Sequence, residues 1–342
     1  MDLQIVQIPS FLYIGYATLY WLKKVMGLPT HMHRKFLMWK LIRTVQKGKI
    51  DRNKVKFTSM GKSDGAGAQA LAKFSAMCFA KAYGFGYIHV PFSKLAHAEQ
   101  ASEVWDASWE HLLQMHSHHP SLDVKSMKLV TLSDFLHNPQ LWNTEVVVHE
   151  RHFHSFTELA PACCVDVAEE LQGAFLQQHA QLRQPTSPFK ILVHVRRGDV
   201  NVNDSQTKGR FTPNSQILTV VETVLAEIKN AAIDPEIHIH SNGHAEELND
   251  FLKFPNVHLH PQAPALQAFT DLATADILIS TQSDFSMLAG IYCPNIVICD
   301  PRHRAPLPCW IPAKPDSPNF RLELTKRLSQ YLPDKVPSIS LE

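Results

Sequence analysis

The chain has 342 residues, of which 45% are hydrophobic, so it is long and apolar enough for two domains with buried cores. Its 33 basic and 32 acidic residues give a formal net charge of +1. This balance excludes a protein that attracts nucleic acid through its overall field, and any anion site must be local.

Residues 1–54 are predicted to be helical and basic, because lysines and arginines alternate with large apolar residues from position 34 onward. Either this helix packs on its own domain, or it lies on an anionic membrane surface as a peripheral contact. The apolar stretch 5–22 is interrupted by polar residues and is marginal as a membrane span. Basic residues follow this stretch rather than precede it. This is the reverse of the charge bias expected for a signal anchor whose catalytic part lies in a lumen. We therefore expect a cytoplasmic protein, in possible peripheral contact with a membrane.

A βα unit follows, with a strand predicted over 55–60 and a helix over 70–83. The turn between them, Asp64–Gln69, is rich in small residues. Such a turn offers backbone N–H groups to an anion or a sugar, which makes Gly65 and Gly67 candidate ligand contacts. The alternative is that the glycines only allow the helix to pack closely.

The second half of the chain shows the clearest periodicity. The polar, proline-bearing run Gln184–Pro188 predicts a boundary between an N-terminal domain, 1–185, and a C-terminal domain, 186–342. After it, apolar runs alternate with helical patterns, which predicts an α/β domain with a parallel, doubly wound sheet. Strands are expected at 189–195, 236–240, 257–260, 277–280 and 296–299, with helices at 213–231, 245–252, 265–275 and 285–292.

The first of these strands ends in dense charge. His194, Arg196, Arg197 and Asp199 follow or close an apolar run. The carboxyl ends of parallel strands are where open α/β sheets bind ligands, and two guanidinium groups match phosphate oxygens. We therefore predict a phosphorylated ligand here. The alternative is a structural ion pair with Asp199.

Polar groups also follow other strands of this half. The second strand leads into Ser241 and Asn242, and the fourth into Thr281, Gln282 and the start of a helix. A residue capping that helix, Ser283 or Asp284, would leave its first N–H groups available to a phosphate. Two arginines, a helix end and several hydroxyls together predict a nucleotide diphosphate site.

The motifs at these strand ends resemble those of a known family. The run 194–199 is similar to the His-x-Arg-Arg-x-Asp signature of GDP-fucose-dependent fucosyltransferases, which include α-1,2, core α-1,6 and nodulation-factor enzymes. Residues 279–286 resemble the downstream (Asn/Thr)-Ser-Ser-Phe-Ser segment of the α-1,2 enzymes. Residues 64–69 resemble their N-terminal Gly-x-Gly-Asn-Gln turn, and the three motifs come in the family's order.

The resemblance implies the GT-B architecture, in which two Rossmann-like domains with parallel sheets face each other across a cleft. It implies that the C-terminal domain holds GDP-fucose and that the N-terminal domain lies on the acceptor side. The reaction would invert the anomeric carbon as fucose moves to a glycan hydroxyl. No cofactor and no metal are expected, because arginines and a helix end would neutralise the departing diphosphate.

The resemblance also suggests residue roles. Arg197 or Arg196 would be the main catalytic residue at the β-phosphate, and His194 would contact the guanine or ribose. Asp204 is the candidate base, with Asp199 second. The further donor-binding candidates are polar or aromatic residues at or near the strand ends: Ser241, Asn242, Asp271, Thr281, Gln282, Ser283, Phe285 and Ser286.

The sequence departs from the family pattern near the donor. The family's usual acidic residue aligns with Ala268, so Asp271, one helical turn on, is the candidate substitute in base recognition. Asp284 stands where serine is usual, and it would repel a diphosphate unless it points away or caps the helix.

Two alternative functions use the same residues. One is a GT-B transferase with another nucleotide sugar, since arginines read phosphate rather than fucose. The other is a non-catalytic protein that binds a nucleotide sugar or glycan. The histidine-rich runs 116–119 and 149–154 invite a metal interpretation, but surface or loop histidines are favoured because neither run has the ligand spacing of a metal site.

Overall fold

The computed structural model describes residues 30–117, 127–179, 188–200, 202–203, 207–229, 233–302 and 304–331. The chain forms two compact units that divide after residue 167, with the short segment 111–114 grouped with the second unit. The predicted boundary at 185–186 and the apolar stretch 5–22 lie outside the described residues.

The first unit is built around a four-stranded sheet of order β2-β1-β4-β3, in which all the pairs are parallel. Short 3₁₀ turns at Pro139–Asn143 and Pro161–Cys164 join some of its elements. The elements in chain order are α1 (Thr30–Gln46), β1 (Val55–Thr58), α2 (Ala66–Tyr83), β2 (Gly86–Tyr87), α3 (Ser102–Leu113), β3 (Leu129–Thr131), α4 (Leu132–His137), β4 (Val146–His149), α5 (Ser155–Leu159) and α6 (Val165–Gln178), the last lying mostly in the second unit.

An aromatic cluster forms the core of this unit. Phe57 of β1 makes edge contacts with Phe79 of α2 and with Phe153, at ring-centroid distances of 4.8 and 6.2 Å. Gly84 ends α2 in the left-handed conformation, with φ of 70°, which is the region that glycine adopts without strain. The strand, turn and helix predicted here are confirmed, although the helix begins four residues earlier.

Helix α1 packs against its own domain. Leu37, Leu41 and Ile42 recur at helical spacing and are almost fully buried, so the apolar stripe is covered. Lys35 on the same helix pairs with Glu158 of α5 at 2.7 Å. A membrane contact made by α1 would therefore use its basic face, and that contact stays a prediction. No helix in the described part of the chain is both long and apolar enough to cross a bilayer.

The second unit contains six parallel strands in the order β10-β9-β8-β5-β6-β7. The predicted strands are present within about one residue of their expected ends. The segment predicted as a helix over 245–252 is instead a 3₁₀ helix, Ala245–Lys253. The elements are β5 (Lys190–Val195), α7 (Asn214–Lys229), β6 (Glu236–Ser241), β7 (Val257–Pro261), α8 (Ala265–Ala273), β8 (Ile277–Ser280), α9 (Asp284–Tyr292), β9 (Ile296–Cys299), β10 (Ile311–Pro312) and α10 (Pro318–Tyr331).

The order of these strands determines where ligands can bind. The chain runs outward from β5 through β6 to β7, then returns to β8 on the other side of β5 and continues to β9 and β10. The switch point of this doubly wound sheet therefore lies between β5 and β8, and open α/β sheets bind ligands outside the carboxyl ends of strands at such a point. The α/β class with two parallel, Rossmann-like sheets is confirmed.

Candidate functional site

The two motifs singled out in the C-terminal half meet at the switch point. His194 of β5 is in register with Ser280 of β8, so both strands end at the same edge. Thr281, the first residue after β8, donates from its hydroxyl to the His194 carbonyl oxygen at 2.9 Å. The segment after β5, which carries the arginines, therefore lies beside the segment that opens α9.

Arg196 is paired with Asp199 in the loop that follows β5. Its Nε and Nη2 atoms donate to the two carboxylate oxygens at 3.2 and 2.6 Å. The arginine side chain is 18% exposed and the aspartate side chain 39%, so solvent reaches the pair. This is the ion pair that the sequence left open as an alternative to phosphate binding.

Arg197 has a different environment and is buried. Its backbone N–H donates to Asn242 Oδ1 at 2.8 Å. Its guanidinium donates to the Arg196 carbonyl at 2.7 Å, to the Thr212 carbonyl at 3.1 Å and to Asn214 Oδ1. The guanidinium is thus used to fix loops of the protein itself, and the predicted contact of Arg197 with a phosphate stays a prediction.

The loops after β5 and β6 approach each other very closely. Gly198 has φ of 61°, and a Cβ there would lie 2.7 Å from Asn242 Nδ2. A Cβ on Gly243 would lie 2.4 Å from the Arg197 Cβ. Ser241 accepts from the Gly243 N–H at 3.0 Å. Ser241 and Asn242 therefore shape the arginine loop, and their predicted contact with a ligand stays a prediction.

Helix α9 begins at this edge as the sequence predicted. Ser283 is its N-cap and accepts from the Phe285 N–H at 3.3 Å. The hydroxyls of Ser280 and Ser286 are joined by a hydrogen bond of 2.9 Å. Asp284 forms a two-point pair with Arg304, at 2.6 and 3.0 Å, so this carboxylate is neutralised within the protein.

His194 lies beneath these loops. It is 6% exposed, and its ring lies 5.3 Å from the Phe285 ring. Burial, followed by the charges of Arg196, His240 and Arg197, lowers the pKa of His194 to about 3, so the imidazole is neutral at pH 7. Its Nδ1 atom makes no hydrogen bond within the described residues.

A cavity of about 400 Å³ opens along the same edge of the sheet. Besides Thr212 and Thr281, it is lined by Arg302 and Lys314 from the segments after β9 and β10. Arg302 donates from Nε to Asp300 at 2.9 Å. Gln282 is buried next to these groups. Arg302 and Lys314 were not among the predicted site residues, although they follow the ends of β9 and β10 by three and two residues.

Gly65 and Gly67 belong to the first unit, and Asp271 to helix α8 of the second. Gly65 is the N-cap of α2 in the first unit, and Gly67 is buried in its first turn. Asp271 lies on α8, where it accepts from Gln267 at 2.7 Å, and burial raises its pKa. Asp204, the candidate base, lies outside the described residues.

The two histidine-rich runs do not form a metal site in the described part of the chain, and His118 and His119 lie outside it. His89, which no prediction included, is fully buried and its Nε2 lies 2.5 Å from Glu110 Oε1. Lys73 is buried nearby, and burial lowers its pKa to about 8. These groups form a buried polar cluster of the first unit.

Comparison with solved structures shows similarity to glycosyltransferases. NodZ fucosyltransferase from Bradyrhizobium matches at 14% identity and a TM-score of 0.39, over 71% of this chain and 95% of that one. POFUT1 in complex with GDP matches at 11% identity and a TM-score of 0.39, over 72% and 96%. The E. coli heptosyltransferase WaaC with ADP matches at 12% identity and a TM-score of 0.38, over 81% and 99%. No protein-family model and no curated protein matches the sequence.

These similarities are too low to carry a function to this chain. The assignment therefore depends on the site residues and on their resemblance to the family motifs.

Proposed function

We propose that this chain is an inverting glycosyltransferase that moves fucose from GDP-fucose to a hydroxyl of a glycan acceptor. One observation carries the proposal. Arg196 and the amino end of α9 follow the adjacent strands β5 and β8, at the switch point where such sheets bind ligands. The motif resemblance, with the same residues in the family's order, supplies the choice of fucose.

We propose different roles for Arg196 and Arg197. A diphosphate could replace Asp199 on the Arg196 fork at little cost, because a solvent-exposed ion pair contributes only about 0–1 kcal/mol. Arg197 could reach a ligand only by leaving two carbonyl oxygens and an amide oxygen of the protein. We therefore assign the diphosphate contact to Arg196 and a positioning role to Arg197.

The amino end of α9 would complete the diphosphate site. The Ser283 hydroxyl accepts from the Phe285 N–H, and the helix dipole favours negative charge at this end. The Asp284 carboxylate would not oppose this, since Arg304 already holds it. Ser283 uses its hydroxyl to accept from the Phe285 N–H, and so it shapes the helix end.

In the transfer step, the bond between the anomeric carbon and the diphosphate oxygen breaks while the acceptor oxygen attacks from the opposite face. The electron pair of the broken bond stays on the diphosphate, where Arg196 and the α9 amides would stabilise it. The acceptor proton passes to a carboxylate, for which Asp204 and Asp199 are the candidates. The Arg196–Asp199 pair would break when the diphosphate takes the Arg196 guanidinium.

The identity of the sugar nucleotide is a separate part of the proposal. Arginines and helix ends bind phosphate without reading the base or the sugar. Structures similar to this chain were determined with GDP and with ADP. GDP-fucose is proposed because of the motif resemblance, and another nucleotide sugar is the alternative.

A donor screen tests the proposal. The full chain is mixed with GDP-fucose, GDP-mannose, UDP-sugars or ADP-sugars, with and without a panel of glycans, and released nucleotide is measured. We expect GDP release from GDP-fucose, lost in Arg196→Ala and retained in Arg321→Ala, an exposed arginine on α10. Release from a different donor would overturn the choice of fucose, and tight binding without turnover would favour a non-catalytic binding protein.

A further inference from the structure

A ladder of histidines covers one face of the neighbouring strands β6 and β7. In β6, Glu236, His238 and His240 alternate with isoleucines that are buried in the core of the unit. Parallel pairing places His238 beside His258 and His240 beside His260. Because side chains alternate between the faces of a strand, all these polar groups share one face. Their ring centroids are 4.5–5.2 Å apart.

Three groups at one end of this ladder are placed like metal ligands. One ligand atom from each of Glu236, His238 and His258 lies within 4.8 Å of the other two. His238 Nε2 lies 3.1 Å from Glu236 Oε2. In a tetrahedral site with ligand bonds of about 2.0–2.1 Å, ligand atoms are roughly 3.3 Å apart. Small side-chain rotations would therefore bring the three groups onto one ion.

The second nitrogen of His238 is also arranged as a metal site requires. His238 Nδ1 lies 3.0 Å from His260 Nε2, which fixes the orientation of the His238 ring. Histidine ligands commonly use their other nitrogen in such a hydrogen bond, because it sets the tautomer and the direction of the coordinating atom. His260 in turn stacks on His240, whose Nε2 is 3.6 Å from Asp271 Oδ2.

We propose that Glu236, His238 and His258 bind a divalent transition-metal ion of the zinc type. Two imidazoles and one carboxylate suit such an ion, whereas magnesium and calcium favour oxygen ligands alone. His258 is exposed and Glu236 is half-buried, so an ion and a water molecule as a fourth ligand can reach the position. Across the described residues no other group of three such ligands comes together.

The position of this site separates it from the transfer chemistry. Glu236 begins β6, whereas the arginine loop meets the residues that follow its far end, at Asn242. Six residues of extended strand span about 20 Å. The ion would link β6 to the edge strand β7 and stabilise that pairing. The expectation that sugar transfer needs no metal is therefore independent of this proposal.

Metal titration tests the site directly. The full chain is stripped with EDTA and dialysed, and Zn²⁺ binding is measured by calorimetry, with Co²⁺ absorption reporting the coordination geometry. Wild type is expected to bind one tightly held ion with a tetrahedral Co²⁺ spectrum. Loss of an outer-shell partner already weakens a metal site by about 10–100-fold, so His258→Gln and His238→Gln, which remove ligands, should weaken it by more than about 100-fold. His137→Gln, an exposed histidine on α4, is the matched control and should bind as wild type does.

A stability measurement guards against misfolded variants. Because His258 is exposed, His258→Gln should melt at the wild-type temperature without metal. Zn²⁺ should then raise the melting temperature of wild type and His137→Gln but not of His258→Gln. A wild-type protein that binds no Zn²⁺, or Zn²⁺ binding unchanged in both ligand variants, would overturn the proposal.

Discussion

Arg196 and Asp199 form a two-point ion pair directly after β5, with donor–acceptor distances of 3.2 and 2.6 Å. The planar fork that holds this carboxylate has the shape that also holds a phosphate. Asp199 thus occupies the Arg196 guanidinium that the diphosphate of the proposed donor would need. Nucleotide binding would then break the Arg196–Asp199 pair.

Removing the carboxylate should strengthen nucleotide binding. Asp199→Asn keeps the size of the side chain but removes the charge that competes for Arg196. Since an exposed pair contributes up to about 1 kcal/mol, we expect GDP affinity to rise by up to about fivefold, measured by calorimetry. Weaker GDP binding in Asp199→Asn would show that the carboxylate does not compete with the nucleotide.

Arg197→Ala should destabilise the protein. Truncation leaves the Thr212 carbonyl and Asn214 Oδ1 without their buried donor, and we expect a loss of about 3 kcal/mol in the free energy of unfolding. Urea denaturation measures this. Arg321→Ala on the surface should change it by less than about 0.5 kcal/mol. An Arg197→Ala protein that is as stable as wild type but unable to bind GDP would return the phosphate contact to Arg197.

His194 should make stability fall with acidity. Its pKa is about 3 in the folded protein and about 6.5 when unfolded, so between these values the unfolded chain binds more protons. Its contribution is therefore complete above pH 6.5 and is lost progressively as the pH falls toward 3. At pH 5 the loss is about 2 kcal/mol.

The measurement is the free energy of unfolding of wild type and His194→Gln at pH 7.5 and pH 5. Wild type should lose about 2 kcal/mol more than the variant over this interval. Equal losses in the two proteins would contradict a neutral, buried His194.

Two glycine substitutions should have opposite effects. In Gly243→Ala the new Cβ would meet the Arg197 Cβ and Glu247 Oε2 at 2.4 Å, so the loops must separate and both stability and GDP affinity should fall. In Gly173→Ala, at an exposed position of helix α6, the Cβ meets nothing within 4 Å, and the unfolding free energy should rise by about 0.5–1 kcal/mol. Thermal melts of the two variants test this, and a stable Gly243→Ala would refute the close approach of the loops.

The sequence was most informative where one local pattern determines the structure. Strands such as Ile277–Ser280 are continuous apolar runs, because a parallel sheet is covered on both faces. The cap at Ser283 could be predicted because its partner is two residues away. The 3₁₀ character of Ala245–Lys253 could not be predicted, since its apolar spacing also fits an α-helix.

Contacts between distant segments were beyond reach. Arg196 and Arg197 are adjacent and chemically identical, and only the arrival of Thr212 and Asn214 distinguishes their roles. The histidine ladder was missed for a related reason. Glu236 and His238 are two residues apart on β6, whereas His258 lies on β7. Only the register of β6 with β7 brings His258 to the other two.

The most direct test of the central claim compares the binding of GDP and GMP to wild type and to Arg196→Ala, by calorimetry. If Arg196 holds the β-phosphate at the switch point, wild type binds GDP more than about tenfold more tightly than GMP, and Arg196→Ala loses this preference. Equal affinity for GDP and GMP in wild type, or a preference for GDP that survives in Arg196→Ala, would contradict the account.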